Sequence, residues 1–176
     1  MKVLVLGGGA QGSAAAYDLL QDEGVTEVVI GDMQTEVASF LEPFLASAGG
    51  SGKLRVAQVD ARDEDSVRRA MEGMTSVVCA LPYYFNLPMT KLAIEAGAHF
   101  ADLGGNTEIV EAQRELDAEA VAAGVSVIPD CGLAPGMVNI LAQAGIDELD
   151  STESVRMWVG GLPQHPEPPL NYQIVY

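Results

Sequence analysis

The sequence predicts an α/β fold in which helices cover both faces of a parallel sheet, and three observations carry that prediction. An apolar run, Lys2–Leu6, leads directly into Gly7, Gly9 and Gly12. A helical segment and a second strand follow, and the second strand ends at Asp32, twenty residues after Gly12. Four further strand-like segments then alternate with helices and short turns. Together these features predict a doubly wound sheet with strand order 3-2-1-4-5-6.

The glycines have the spacing G-x-G-x-x-G, and each has a mechanical role. Gly7 permits a tight turn, Gly9 lets a pyrophosphate approach the backbone, and Gly12 lets the helix pack closely on the strand. The free N–H groups at the helix start face the phosphates, and Asp32 accepts hydrogen bonds from ribose hydroxyls. The pattern indicates a Rossmann dinucleotide site, the alternative being a glycine-rich turn in another kind of α/β protein.

The six strands are short and apolar, which is typical of strands buried on both faces. Glycine, proline or aspartate follows each of them. The predicted strands are Lys2–Leu6 and residues 25–30, 54–59, 77–81, 99–103 and 125–128.

The helices are recognised by polar caps before them, glycines after them and apolar residues on one face. The longest has alanine or leucine at every fourth position. The predicted helices are residues 13–21; 35–48, kinked at Pro43; from Asp63 or Asp65 to Gly73; 87–96, capped by Asn86; 107–123; and 135–149, opened by Pro135.

The acidic composition limits the partners that we expect. The chain has 25 acidic and 9 basic residues, a net charge of −16. Such a surface repels nucleic acid and anionic membranes, so neither is an expected partner. Adaptation to high salt is one explanation of this charge, and the ordinary acidity of a bacterial protein is the other.

Localisation is inferred from the apolar runs and the cysteines. No apolar run approaches the ~20 residues that span a bilayer, and the N-terminal strand does not resemble a signal peptide. Two cysteines, Cys79 and Cys131, do not suggest a disulfide framework. We therefore expect a cytoplasmic protein.

The pattern changes at about Ser151. We predict a dinucleotide-binding domain over residues 1–150 and the start of a second, α+β domain over residues 151–176, with strands at 154–159 and 172–176. The proline-rich loop between those strands is predicted to be a lid or hinge. So short a segment cannot bury its own apolar faces, so it must pack on the first domain, pair with another chain or belong to a longer sequence.

Three segments at strand ends hold candidate catalytic residues. Tyr83 follows the fourth strand and would bind a substrate or relay a proton, or else only pack. Asp102 ends the fifth strand, where a buried carboxylate needs partners, so it would hold a substrate amine or a turn. Asp130 begins a loop to Asn139 that leads into a helix start, whose N–H groups would suit an anionic group.

Other polar groups have simpler interpretations. Asn106 is predicted to cap the helix that follows it. Cys131 has no nearby histidine to activate it as a nucleophile, so we interpret it as a packing residue. No cluster has metal-ligand spacing, so no metal is expected.

The predicted cofactor contacts extend from the glycine turn to the ends of neighbouring strands. Residues 33–35 provide no cation for a 2′-phosphate, and Lys53 lies beyond a whole helix, so NAD is expected rather than NADP. The predicted contacts are Gly7, Gly9, Ala10, Gln11, Gly12, Asp32, Met33, Asp60, Ala80, Leu81 and Pro82.

Five motifs resemble those of the saccharopine dehydrogenase-like reductases. They are GGGAQGS, ALPYYFN, DLGG, PDCGLAPGMVN and GGLPQHPEPPLNY, and the resemblance covers essentially all 176 residues. The last two motifs are the most specific. Within this family, the motifs are most similar to those of the lysine 6-dehydrogenase branch.

The resemblance implies a Rossmann domain, an α+β domain for substrate binding and dimerisation, and NAD(P) between them. It implies an amino acid substrate: in the lysine enzyme, hydride passes from the ε-carbon to NAD and the imine hydrolyses to a semialdehyde and ammonia. It places Tyr83, Asp102 and the loop of residues 130–139 at the substrate, and it implies a homodimer. Such enzymes are about twice as long, so we expect this chain to be a fragment or a natural truncation.

The sequence also allows comparison with two other function classes. A nucleotide-sensing Rossmann module without catalysis stays open, and amino-acid-dependent NADH formation would separate it from the enzyme. A sugar epimerase usually needs Y-x-x-x-K, but the residues four positions after Tyr83 and Tyr84 are Leu87 and Pro88.

Overall fold

The computed structural model describes residues 1–34, 36, 52–160 and 165–169. The strands are β1 (Lys2–Leu6), β2 (Glu27–Asp32), β3 (Leu54–Gln58), β4 (Ser76–Cys79), β5 (His99–Asp102) and β6 (Val127–Ile128). The helices are α1 (Ala10–Gln21), α2 (Glu64–Met71), α3 (Asn86–Ala96), α4 (Thr107–Arg114), α5 (Asp117–Ala123) and α6 (Met137–Asp147), with a 3₁₀ turn at Tyr83–Phe85. The predicted helix 35–48 and strand 172–176 lie outside the described residues, except for Glu36.

The strands form one parallel sheet in the order β3-β2-β1-β4-β5-β6, which confirms the predicted fold class. α1 covers one face with Ala16 and Leu20, which pack beside Val3, Val5 and Ile30. Helices α2 and α3 cover the other face. Their core residues Val67, Met71, Met89, Leu92 and Ala93 lie in one cluster with Leu4, Leu6, Val29, Val77, Cys79 and Phe100. Burial on both faces explains why the strands are continuously apolar.

The turn between β1 and α1 depends on a close backbone approach. Gly7 has φ +95°, which favours glycine. A Cβ on Gly12 would lie 1.9 Å from the Gly7 carbonyl oxygen, so only glycine lets α1 approach β1 this closely. The geometry therefore agrees with the predicted roles of Gly7 in the tight turn and of Gly12 in the close packing of helix on strand.

The strand order reverses between β1 and β4, and this reversal positions the site. The Ala80 N–H donates to the Leu6 carbonyl at 2.8 Å, which brings the segment after β4 against the glycine turn. A Cβ on Gly7 would lie 3.0 Å from the Ala80 carbonyl oxygen. The carboxyl ends of the strands meet here, where ligands bind in doubly wound sheets.

The predicted 107–123 helix is wrong as one element, because it consists of α4 and α5. At Leu116 the N–H bonds to the Gln113 carbonyl three residues back, at 3.1 Å, and φ and ψ are −87° and 9°. Gln113 is buried and anchored by side-chain hydrogen bonds. The apolar pattern continues through the break, so periodicity alone did not show it.

The strand predicted at 154–159 is also wrong. This segment has no strand pairing, and Trp158 is 82% exposed. No strand among the described residues lies beside it, and an apolar alternation forms a strand only when another strand pairs with it.

Several boundaries differ from the predicted ones. The predicted strand 25–30 is displaced by two residues in β2, and α1 begins at Ala10. Asn86 is the first residue of α3, and Phe85 takes the cap position. Pro135 lies before α6, which begins after Gly136. The caps at Asp63 and Asn106 and the stops at Gly97 and Gly124 are confirmed.

We expect Gly12→Ala to lower the free energy of unfolding by about 1–3 kcal/mol, because the added methyl must displace α1 from β1. Urea denaturation followed by circular dichroism measures the change. Gly9→Ala is the matched control, since no atom lies within 4 Å of a Cβ at Gly9 and its φ of −67° suits alanine. Equal stability of the two variants would contradict the close-packing role of Gly12.

Candidate functional site

The start of α1 is an open, N–H-lined edge. Gly9 is exposed and forms the N-cap without a side-chain hydrogen bond. The first helical hydrogen bond runs from the Ser13 N–H to the Gly9 carbonyl, at 2.9 Å. The N–H groups before it, at Ala10, Gln11 and Gly12, therefore have no partner within the helix. Such an edge suits a phosphate, as the glycine spacing predicts.

Asp32 ties the end of β2 to the glycine turn. Its carboxylate Oδ2 accepts the Gly8 N–H at 2.7 Å, and Oδ1 accepts the Gln34 N–H at 2.8 Å. The side chain is half-buried. Each carboxylate oxygen has a second lone pair, so the carboxylate can still accept hydrogen bonds from a ligand. The contact with Gly8 was missed because sequence reasoning treated Gly8 as a spacer.

A cavity of about 280 Å³ lies beside Asp32, at the ends of β1, β2 and β3. Its walls are apolar except for two carboxylates and one guanidinium. They are formed by Leu6, Gly31, Asp32, Met33, Val59, Asp60, Ala61, Arg62, Leu81 and Phe85. The predicted contacts Asp32, Met33, Asp60 and Leu81 therefore meet in one place.

Arg62 is the residue of this cavity that sequence reasoning missed. Its Nε and Nη2 donate to the two oxygens of Asp60, both at 2.9 Å, and Nη2 also lies 3.0 Å from the Met33 sulfur. The guanidinium lowers the pKa of Asp60 to about 2, mainly through these hydrogen bonds. A signal was present in the sequence, because Arg62 follows the end of the strand beside β2.

A larger cavity of about 1120 Å³ lies at the ends of β4, β5 and β6. Tyr83 and Asp130 both line it, so two of the three candidate catalytic residues come together. Leu81 borders both cavities. The other lining residues are Pro82, Tyr84, Leu103, Gly104, Gly105, Asn106, Thr107, Leu133, Ala134, Pro135, Val159 and Gly160.

Asp102, the third candidate, lies below this cavity and is fully buried. Oδ1 accepts the N–H groups of Gly104 at 2.7 Å and Asp130 at 3.2 Å, and Oδ2 accepts the amide of Gln113 at 2.7 Å. These partners favour its interpretation as the residue that holds the turns over the direct binding of a substrate amine.

A buried polar chain extends from Asp102 to α3. Gln113 Nε2 also donates to Thr90 Oγ1 at 2.7 Å, and Thr90 donates to the Asn86 carbonyl at 2.8 Å. Two buried oxygens, Asn86 Oδ1 and Gln113 Oε1, have no hydrogen-bond partner among the described residues. Gln113 was missed, since a glutamine inside an amphipathic helix gives no sign that it faces inward.

The N–H groups at the start of α6 are not open, contrary to the sequence-based expectation of an anion site. Met137 and Val138 donate to the carbonyls of Gly132 and Leu133, at 2.8 and 3.0 Å. Asn139 donates to the Gly136 carbonyl at 3.0 Å, and its side chain accepts the Gly136 N–H at 3.1 Å. The loop closes on itself, which the sequence pattern does not reveal.

Neither cysteine is an activated thiolate. Burial raises the pKa of Cys79 to about 12. Partial burial, together with the charges of Asp102 and Asp130, raises the pKa of Cys131. The raised pKa argues against Cys131 as a nucleophile, whereas the predicted packing role is wrong because this residue is exposed.

Comparison with known families decides the relationship. The model of the saccharopine dehydrogenase NADP binding domain matches residues 3–128, which is more than half of the chain. The chain belongs to this family. The match starts in β1 and ends in β6, so it covers the whole sheet. The closer resemblance to lysine 6-dehydrogenase stays a prediction.

Two curated relatives illustrate the similarity. The chain is 28% identical to mouse mitochondrial alpha-aminoadipic semialdehyde synthase over 98% of its own length and 18% of the relative's length. It is 30% identical to saccharopine dehydrogenase [NADP(+), L-glutamate-forming] of Saccharomyces cerevisiae over 73% of its own length and 29% of the relative's. The chain therefore spans less than a third of each relative.

Solved structures support the same family and fold. Apo saccharopine dehydrogenase (L-Glu forming) from Saccharomyces cerevisiae matches with a TM-score of 0.66 and 25% identity, over 84% of this chain and 31% of that one. Citrobacter triphenylmethane reductase complexed with NADP(H) matches with a TM-score of 0.53 and 18% identity, over 73% and 48% of the two chains, and shows the fold alone.

The described part of the chain has neither a membrane-spanning helix nor a metal-binding cluster. Among the described residues, no helix combines the length and the apolar character of a membrane span. In the same part of the chain, no group of three or more His, Cys, Asp or Glu side chains is arranged to hold a metal ion.

We expect iodoacetamide at pH 7.5 to leave Cys79 unmodified in the folded protein and to alkylate Cys131 more slowly than it alkylates glutathione. A raised pKa leaves less thiolate at neutral pH, so the Cys131 rate should keep rising as the pH increases towards 10. Mass spectrometry of the peptides measures both rates. Both cysteines should react equally in urea, whereas a Cys131 rate that is fast and constant above pH 7 would indicate a nucleophile.

Proposed function

We propose that this chain is the dinucleotide-binding part of an NAD-dependent oxidoreductase that acts on a C–N bond of an amino acid. The observation that carries the proposal is the open N–H edge at Gly9, which lies next to a carboxylate at the end of β2. Family membership supports the amino acid dehydrogenase class, since the yeast relative is named saccharopine dehydrogenase.

The residues present fit a dinucleotide along the ends of the strands. The N–H groups after Gly9 would bind the pyrophosphate, and the space around Gly9 admits it without steric conflict. Asp32 would accept the ribose hydroxyls, and the 280 Å³ cavity would take the adenine. Ala80–Pro82 would border the nicotinamide. The bound cofactor supplies the hydride acceptor, and the protein supplies position and electrostatics.

The larger cavity is the proposed substrate side. Tyr83 presents a phenol there, and Asp130 presents a carboxylate that can pair with a substrate ammonium group. Asp102 would act on this site indirectly, because its carboxylate accepts hydrogen bonds from the backbone N–H groups of Gly104 and Asp130, which line the cavity. Asp102 thereby positions the two turns that the substrate would contact.

The preference for NAD is where the proposal goes beyond the relatives, because the matched family and the yeast enzyme are named for NADP. NADP has a phosphate dianion in place of the ribose 2′-hydroxyl. At ~4 Å, two like unit charges repel by about 4 kcal/mol at an effective dielectric of about 20. Asp60 already balances the charge of Arg62 in the same cavity. The charge of Asp32 is therefore left unbalanced, and the side chains that line the cavity have a net negative charge.

We expect the chain to bind NADH tenfold to a thousandfold more tightly than NADPH, after solvent and salt weaken this repulsion. Asp32→Asn should reduce the difference between the NADH and NADPH affinities, because it removes the charge but keeps an oxygen that can accept the Gly8 N–H. Asp32→Ala should also lower affinity for NADH. Isothermal titration calorimetry measures all the affinities. Equal binding of NADH and NADPH by the unmodified chain would defeat the assignment.

Gly9→Val tests whether the glycine turn binds the dinucleotide at all. The branched side chain would occupy the space of the pyrophosphate while the protein stays folded, so NADH affinity should fall by more than tenfold. Gly24→Ala, in the α1–β2 turn away from the site, is the control. Unchanged NADH affinity in Gly9→Val, measured by the same titration, would show that this turn does not contact a dinucleotide.

The reaction is tested by absorbance at 340 nm with NAD and a panel of amino acids including lysine and saccharopine. This chain spans less than a third of each of the two curated relatives described above, so we expect the isolated chain to bind NADH without turnover. A longer protein that contains the chain should form NADH when the amino acid is added. Binding without amino-acid-dependent turnover in the longer protein would instead favour a nucleotide-sensing module.

A further inference from the structure

Arg62 occupies a position in the small cavity that the family resemblance does not explain. It lies four residues after the end of β3 and lines the same cavity as Asp32. Its side chain reaches back across the cavity to Met33, the residue next to Asp32. The guanidinium therefore lies where the adenosine half of a dinucleotide would enter, and the inference below rests on the proposed dinucleotide function.

Three hydrogen bonds hold this segment on Asp60. Oδ1 accepts the Arg62 backbone N–H at 3.0 Å and Nε at 2.9 Å, and Oδ2 accepts Nη2 at 2.9 Å. This two-pronged pairing fixes the orientation of the guanidinium plane as well as its position. The lowered pKa of Asp60 keeps the carboxylate charged at neutral pH, so the pair stays intact there.

The remaining walls suit a flat, weakly polar ring. Leu6, Val59, Leu81 and Phe85 provide apolar surface, and the volume of about 280 Å³ lies at the scale of one nucleobase with part of its ribose. A guanidinium is planar, delocalised and weakly hydrated, so it stacks well on aromatic faces. An adenine in this cavity would lie among these apolar side chains, with Arg62 in the same wall.

The same contacts argue against Arg62 as a phosphate clamp. Two of its three nitrogens already donate to Asp60, and the pair has no net charge. Asp32, beside Met33 in the same wall, adds a negative charge. A phosphate dianion on the ribose would have to separate the Arg62–Asp60 pair and also approach a second carboxylate.

We propose that Arg62 is an adenine platform: fixed by Asp60, its guanidinium plane stacks on the adenine of the bound dinucleotide and does not recognise a 2′-phosphate. Asp60 is then a positioning residue that acts through Arg62. Recognition is of the base, so the platform serves any adenosine nucleotide that presents a 5′-phosphate to the turn at Gly9.

The test is calorimetric titration of the full chain with three probes: 5′-AMP, 2′,5′-ADP and nicotinamide mononucleotide. The variants are Arg62→Ala, which removes the plane and the charge, and Arg62→Lys, which keeps only the charge. Arg69→Ala is the matched control, because Arg69 is an exposed arginine on α2 and its replacement changes the net charge equally. Near-ultraviolet circular dichroism verifies that every variant is folded.

We expect both Arg62 variants to bind 5′-AMP roughly tenfold more weakly, with the same factor for 2′,5′-ADP. Nicotinamide mononucleotide binding and the Arg69→Ala variant should be unchanged. Full 5′-AMP affinity in Arg62→Lys, or a much larger loss for 2′,5′-ADP than for 5′-AMP, would overturn the platform and indicate a charge contact. If the unmodified chain binds neither 5′-AMP nor NADH, the proposed function fails as well. If it binds both and Arg62→Ala changes neither affinity, only the platform fails.

Discussion

The close approach of α1 to β1 is the constraint on which the geometry of the site depends. Gly12 lies so near the Gly7 carbonyl that even a single methyl group could be inserted only by moving α1 away from β1. This contact fixes the start of α1 against the end of β1, and the first N–H groups of α1, as in any helix, have no partner within the helix. The Gly8 N–H then bonds to Asp32 and ties the same turn to β2. The groups proposed to bind the phosphates and the ribose are therefore connected through one turn.

A second constraint acts in the other half of the sheet, where the carboxylate of Asp102 is buried and pairs with no cationic side chain in the part of the chain that the structure describes. Burying an unpaired charge is costly, and here three N–H donors offset that cost. Two of the donors belong to the turns that line the larger cavity, and the third comes from Gln113 in α4. The cost of leaving this charge unsatisfied holds the turns in place, so Asp102 organises a site that its own side chain does not reach.

The two halves of the sheet, β3-β2-β1 and β4-β5-β6, meet at the segment that follows β4. Ala80 bonds to the end of β1, and Leu81 borders both cavities. A ligand that extends from Asp32 to Tyr83 would cross this segment, which lies between the two cavities. The doubly wound topology provides the crossing point, because the strand order reverses between β1 and β4.

The sequence by itself determined the strand order, the glycine turn and the place of Asp32, because these depend on local patterns and on the preference for right-handed crossovers. It also singled out Tyr83 and Asp130 as candidates, because both follow the ends of strands, and the structure places both at one cavity. Only the tertiary structure decided the role of Asp102, the inward orientation of Gln113 and the break at Leu116, since each depends on partners far away in the chain. Arg62 is an intermediate case. The sequence places it just after the predicted third strand, but the pairing of β3 with β2 and the hydrogen bonds to Asp60 and Met33 bring its guanidinium to the cavity beside Asp32. Contacts of this kind join separate segments of the chain, so they leave no periodic pattern in the sequence.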